Sequence, residues 1–142
     1  MLTEDEAPNE GDTMSYAIKV TTDLTCDEAE ARVRQALADE GFGIITEIDM
    51  AATLKAKIDK DMAPYKILGA CRPVLAAAAV DAEPDIGLLL PCNVVVYERD
   101  GRTVVAALDP RAMLGMAQAE GVDDVADDAG GRLRRALATI GG

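Results

Sequence analysis

Between two valine-rich runs the chain carries Glu98-Arg99-Asp100-Gly101-Arg102, and an Asp-Gly pair in that position is a strong signal for a two-residue β-hairpin. Such a turn needs left-handed backbone at its central residues, which glycine adopts freely and aspartate tolerates. Residues 93–97 and 103–108 should therefore pair antiparallel, which favours an antiparallel or mixed sheet. Strand and helix signals alternate in the first half, which taken alone would suit a parallel α/β sheet. The hairpin, together with the period-two pattern of Tyr16, Ile18 and Val20 against Ala17, Lys19 and Thr21, points to α+β instead. The expected architecture is a single compact domain with an antiparallel or mixed sheet packed against helices.

Local signals place the other elements. Thr25 followed by Glu28 is a capping box, and Ala29, Val33, Ala36 and Leu37 form the core face of the helix it opens. Glu28 with Arg32 and Glu30 with Arg34 are spaced as ion pairs on the wet side, and Gly41 suits the C-terminal end. A strand over 42–48 leads to Asp49 as N-cap of a helix reaching about residue 60, with Ala51, Leu54 and Ile58 on its apolar side. A strand over 65–70 leads to Pro73 in the first turn of an alanine-rich helix ending near Pro84. Residues 86–90 and 93–97 read as strand, with Pro91 interrupting the ladder between them. A short helix begins at Asp109-Pro110, and a last one, over about 122–139, has acids early and arginines late, matching its dipole. Gly130 and Gly131 weaken its middle.

Composition narrows the function classes. A net charge of -12 argues against nucleic acid or an anionic membrane as partner, because both need clustered cations. No apolar run approaches the roughly 20 residues that span a bilayer, and the acidic start lacks the basic and apolar regions of a signal peptide. A cytoplasmic location is expected. With no histidine, Ser-His, Cys-His and His-metal mechanisms are excluded within one chain. Three cysteines without an export signal read as reduced thiols. Residues 1–13 hold five acids and no base, and are expected to be a disordered acidic tail. Met14 is an alternative start for the domain.

Three segments together resemble the domain of unknown function 302 (DUF302) family: Thr46-Glu-Ile-Asp-Met-Ala-Ala-Thr-Leu-Lys-Ala-Lys57, Tyr65-Lys-Ile-Leu-Gly-Ala-Cys-Arg-Pro73 and Ile86-Gly-Leu-Leu-Leu-Pro-Cys-Asn-Val-Val-Val96. The resemblance covers residues 14–137 and makes 14–142 a DUF302-like domain. It implies a bacterial or archaeal α+β domain that forms a homodimer. It implies no activity. Where relatives often read Cys-Asn-Pro, this chain has Arg72 between Cys71 and Pro73, which alters the charge beside the thiol.

The candidate ligand or thiol site comprises Cys71, Arg72, Pro73, Cys92, Asn93, Lys55 and Lys57. Cys71 precedes a helix N-terminus whose dipole, with Arg72, can stabilise a thiolate. The competing reading makes it a small buried hydrophobe, and Cys92, between Leu90 and Val94, has still more of that character. Cys26 reads as structural or incidental, since Asp27 and Glu28 oppose a lowered pKa. Lys55 and Lys57, with Asn93 and Arg72, can bind a small anion or stand as solvated surface. No metal is expected, because 21 residues between Cys71 and Cys92 is not a zinc-site spacing, and with no histidine and three cysteines a four-ligand site in one subunit would need carboxylates, although two subunits could pool thiolates. No cofactor is expected either. Three functional readings follow. The leading one is a small soluble homodimeric domain that binds a small ligand or partner. The second is a thiol-dependent enzyme or redox sensor with Cys71 as nucleophile and Cys92 as resolving thiol. The third is a structural or interaction protein whose Ala76 to Ala79 stretch packs in the fold or at an interface.

Overall fold

The computed structural model describes residues 16–117 and 120–141. The chain forms β1 (Ala17–Thr22), α1 (Cys26–Asp39), β2 (Gly43–Asp49), α2 (Met50–Ile58), β3 (Tyr65–Cys71), α3 (Pro73–Ala82), a 3-10 helix (Pro84–Leu89), β4 (Cys92–Arg99), β5 (Arg102–Leu108), α4 (Pro110–Ala117) and α5 (Asp123–Ala138). Asp100 and Gly101 both take left-handed backbone, with φ of 55° and 79°, and close the β4–β5 hairpin as the turn chemistry requires. The sheet order is β1-β5-β4-β3-β2. Every neighbouring pair is antiparallel, so the α+β expectation holds in its antiparallel form. The segment expected to be an acidic tail lies outside the described residues.

Side chains on one face of the sheet enter the core. Leu68, Ala70, Cys92, Val94, Val96, Val105 and Ala107 pack there against Ala29, Val33 and Leu37 of α1, Leu75 and Ala79 of α3, and Ala129, Leu133 and Leu137 of α5. The core is methyl-lined, as the scarcity of aromatics demands. α1 begins with the complete capping box: Thr25 Oγ1 accepts the Glu28 amide at 3.1 Å, and a Glu28 carboxylate oxygen accepts the Thr25 amide at 2.9 Å. That carboxylate therefore serves the cap, where spacing alone suggests an ion pair with Arg32. Glu30 and Arg34 do pair, at 2.9 Å. α5 runs without a break through Gly130 and Gly131. No helix among the described residues is long and apolar enough to cross a membrane.

Three local expectations need correction. Residues 86–89 belong to the 3-10 helix, where 86–90 reads as strand in the sequence. The Glu83 carboxylate accepts the Asp85 amide at 3.1 Å, and the Ile86 amide donates to the Glu83 carbonyl at 2.9 Å, so the segment after Pro84 coils before it can extend. Ile86 is buried, whereas Leu88 is 88% exposed. Second, α2 stops at Ile58 because Asp59 turns left-handed, and the supposed core residue Ile58 is 67% exposed. Third, Tyr16 precedes β1 and is exposed; the inward positions of that strand are Ile18, Val20 and Thr22.

Candidate functional site

The end of β3 and the start of β4 meet at one corner of the sheet, where Ala70 stands opposite Cys92 in the register. β3 continues through Cys71 and Arg72 into α3, with Pro73 supplying a first-turn residue that needs no amide donor. β4 follows a cis Leu90-Pro91 bond. Cys71, Arg72, Leu75, Leu90, Pro91 and Cys92 thereby line a mostly apolar concavity of about 290 Å³. Gly69 makes the corner possible: a Cβ there would stand 2.0 Å from Thr46 Oγ1 and 2.7 Å from Pro91 Cγ. Both residues close over the bare backbone.

Arg72 is tied into the fold as well. Its Nη2 donates to Asp128 of α5 at 3.0 Å, and its Nη1 lies where a Cβ on Gly41 would be only 2.6 Å away. Gly41 itself has a φ of +87°, so glycine there satisfies both the helix end and the guanidinium. Asp128 is held below the usual carboxylate range, chiefly by the hydrogen bond from Arg132 and further by Arg72. Arg72 Nε is buried without a hydrogen-bond partner. Much of the charge beside Cys71 is thus already engaged on α5.

The other residues singled out in the sequence stand apart. Asn93 is exposed on the opposite face of the sheet, across from Gly69. Lys55 Nζ bonds Asp59 at 2.8 Å and Asp61 at 2.9 Å, and those two carboxylates raise its pKa. Lys57 is exposed on the same helix. The lining of the thiol corner includes neither lysine nor Asn93. Among the described residues no group of three or more Cys, Asp or Glu could hold a metal ion.

A family model for a domain of unknown function, DUF302, matches residues 18–140. The chain belongs to the DUF302 family. It is similar to a crystallised, uncharacterised conserved DUF302 protein from Bacillus stearothermophilus, with 27% sequence identity and a TM-score of 0.81 over 88% of this chain and 98% of that one. Among curated proteins none matches.

Two clusters in this DUF302 chain were not legible in the sequence. Lys66 sits on the core side of β3, paired with Val96 in the register, and its ammonium bonds Glu30 at 3.0 Å and Glu47 at 3.4 Å. Arg34 bonds the same two carboxylates. Burial pushes the Glu30 carboxyl up, but Lys66 and Arg34 outweigh it and hold it below its ordinary value. The signal was a lysine at an inward strand position, which calls for a nearby acid. On the other face the rings of Tyr65 and Tyr97 stack, with centroids 5.2 Å apart. Opposition of those two residues follows only from the β3–β4 register.

The two thiols of the corner differ in setting. Cys71 is half-buried, while Cys92 is 3% exposed. Burial, with a smaller contribution from Cys71, pushes the Cys92 thiol from its ordinary value of 9.0 up to about 11. Well below pH 9 the thiol is protonated in folded and unfolded chains alike. Between about 9 and about 11 it ionises only in the unfolded chain, so folding stability should fall as pH rises through that window. Urea unfolding at stepped pH should show wild type losing on the order of 2 kcal/mol more than Cys92→Ala across it. Parallel pH profiles for the two proteins would contradict this.

Proposed function

We propose that this DUF302 chain is a small homodimeric domain that binds a small, largely apolar molecule in the corner between β3, α3 and the start of β4. The observation that carries this reading is the meeting of Cys71 and Leu75 with Pro91 and Cys92 around one concavity of about 290 Å³. Apolar walls with a few polar groups are the usual make-up of a small-molecule site. The ligand contacts would come from Cys71, Leu75, Leu90 and Cys92. Arg72, held by Asp128, would shape the wall. Two cysteines on one concavity also suit a redox pair. Against that, Cys92 with a pKa raised to about 11 would carry little thiolate at neutral pH, and thiol exchange requires the thiolate.

The test is a pair of mass spectra, native and denaturing, of the full chain purified gently from its own host. A small molecule retained at fixed stoichiometry in wild type and lost from Ala76→Phe, whose ring would fill the concavity that Ala76 also lines, is the expected result. An empty, unmodified chain that takes up nothing from its host's extract would overturn the ligand reading. A mass lower by two hydrogens, reversed by reductant, would favour the redox pair.

A further inference from the structure

The geometry points to the face of the sheet that no described element covers as the surface through which two copies of this chain pair, sheet against sheet about a two-fold axis. This rests on the homodimer reading above and assigns it a place. In a sheet with helices on one side, the other side ordinarily carries polar residues. Here the register brings Ile48, Ile67, Val95 and Ala106 into one row across four strands, beside a second row in which the rings of Tyr65 and Tyr97 stack and Val104 stands opposite Tyr97. Val104 and Ala106 are each only 8% exposed although they lie outside the core cluster, and a groove of about 320 Å³ crosses the face past Asn93 and Val95.

Charge selects the occupant. The chain has 26 acids and 14 bases, so copies repel wherever carboxylates face each other. Among the described residues no strand position on this face holds a carboxylate; its cations, Lys19, Arg99 and Arg102, stand on the edge strand and at the hairpin end. The middle of the face is neutral, and two such middles can meet without opposing charges. Size agrees: with strands about 4.8 Å apart and about 3.3 Å per residue, five strands give a flat footprint of roughly 500 Å², which side-chain relief carries toward the roughly 800 Å² per partner of a standard interface. An isologous contact also sets Tyr65 and Tyr97 against the same patch of the second copy, and interface cores favour tyrosine.

Sedimentation of the full chain through a dilution series, with circular dichroism as a fold check, tests the assignment. Wild type should be a dimer. Val95→Glu and Asn93→Glu should each raise the dissociation constant about a hundredfold or more, because each sets like charges together across the axis. Val74→Glu, on the exposed side of α3, should leave the dimer intact. A dimer that survives both sheet substitutions would overturn the assigned face and leave the homodimer reading standing. So would a dimer dissociated only by Val74→Glu. A wild type that is monomeric throughout would overturn both. Should Val95→Glu fail to fold, Asn93→Glu decides alone, since Asn93 is already exposed.

Discussion

Leu75→Ala is expected to lower the free energy of unfolding by about 2–5 kcal/mol, the range for truncating a buried leucine. Leu75 lies in the first turn of α3 and is 1% exposed. It packs in the core and also lines the thiol corner. Removing its isobutyl group forfeits transfer energy and leaves a void that the corner, held by Pro91 and the start of β4, can refill only partly. Urea unfolding should show a lower midpoint with an unchanged slope, since the surface exposed on unfolding is nearly the same. Val74→Ala, one residue away but exposed, should stay within about 0.5 kcal/mol of wild type. Equal losses in the two variants would contradict the packing described for α3.

Gly69→Ala is expected to cost about 1–3 kcal/mol through overpacking. The new methyl would lie inside the contact distance of Thr46 Oγ1, at 2.0 Å, and of Pro91 Cγ, at 2.7 Å. A threonine is short and branched and a proline ring is rigid, so neither yields by swinging away a flexible end. Thr46→Ala in the same chain should restore part of the loss by removing the hydroxyl, while the contact with Pro91 persists. The two substitutions should therefore be non-additive in a double-mutant cycle. Additive losses would mean that Thr46 does not close over Gly69.

Interactions that act within a few residues were legible in the chain. The Asp100-Gly101 turn, the Thr25 capping box, the Asp49 N-cap and Pro73 at the first turn of α3 each depend on neighbours in sequence, and each forms. The stretch before Pro91 was misread because an apolar run has no single period: a side-chain bond from Glu83 coils it. Ile58 was misplaced because helical spacing marks an apolar side without saying whether anything covers it.

By itself, then, the sequence determined the antiparallel pairing of β4 with β5, the positions of the caps, a core built from methyl groups, and the absence of histidine chemistry. Tertiary structure alone decided which strands became neighbours, and with them which distant residues met. Cys71 and Cys92 share a concavity because β3 and β4 lie side by side there. Asn93 points to the other face because side chains alternate along β4. Arg72 reaches Asp128 across 56 residues of chain. The physical reason is common to all three: backbone conformation is set locally, whereas contact between distant side chains depends on sheet order and register, which the whole core settles at once.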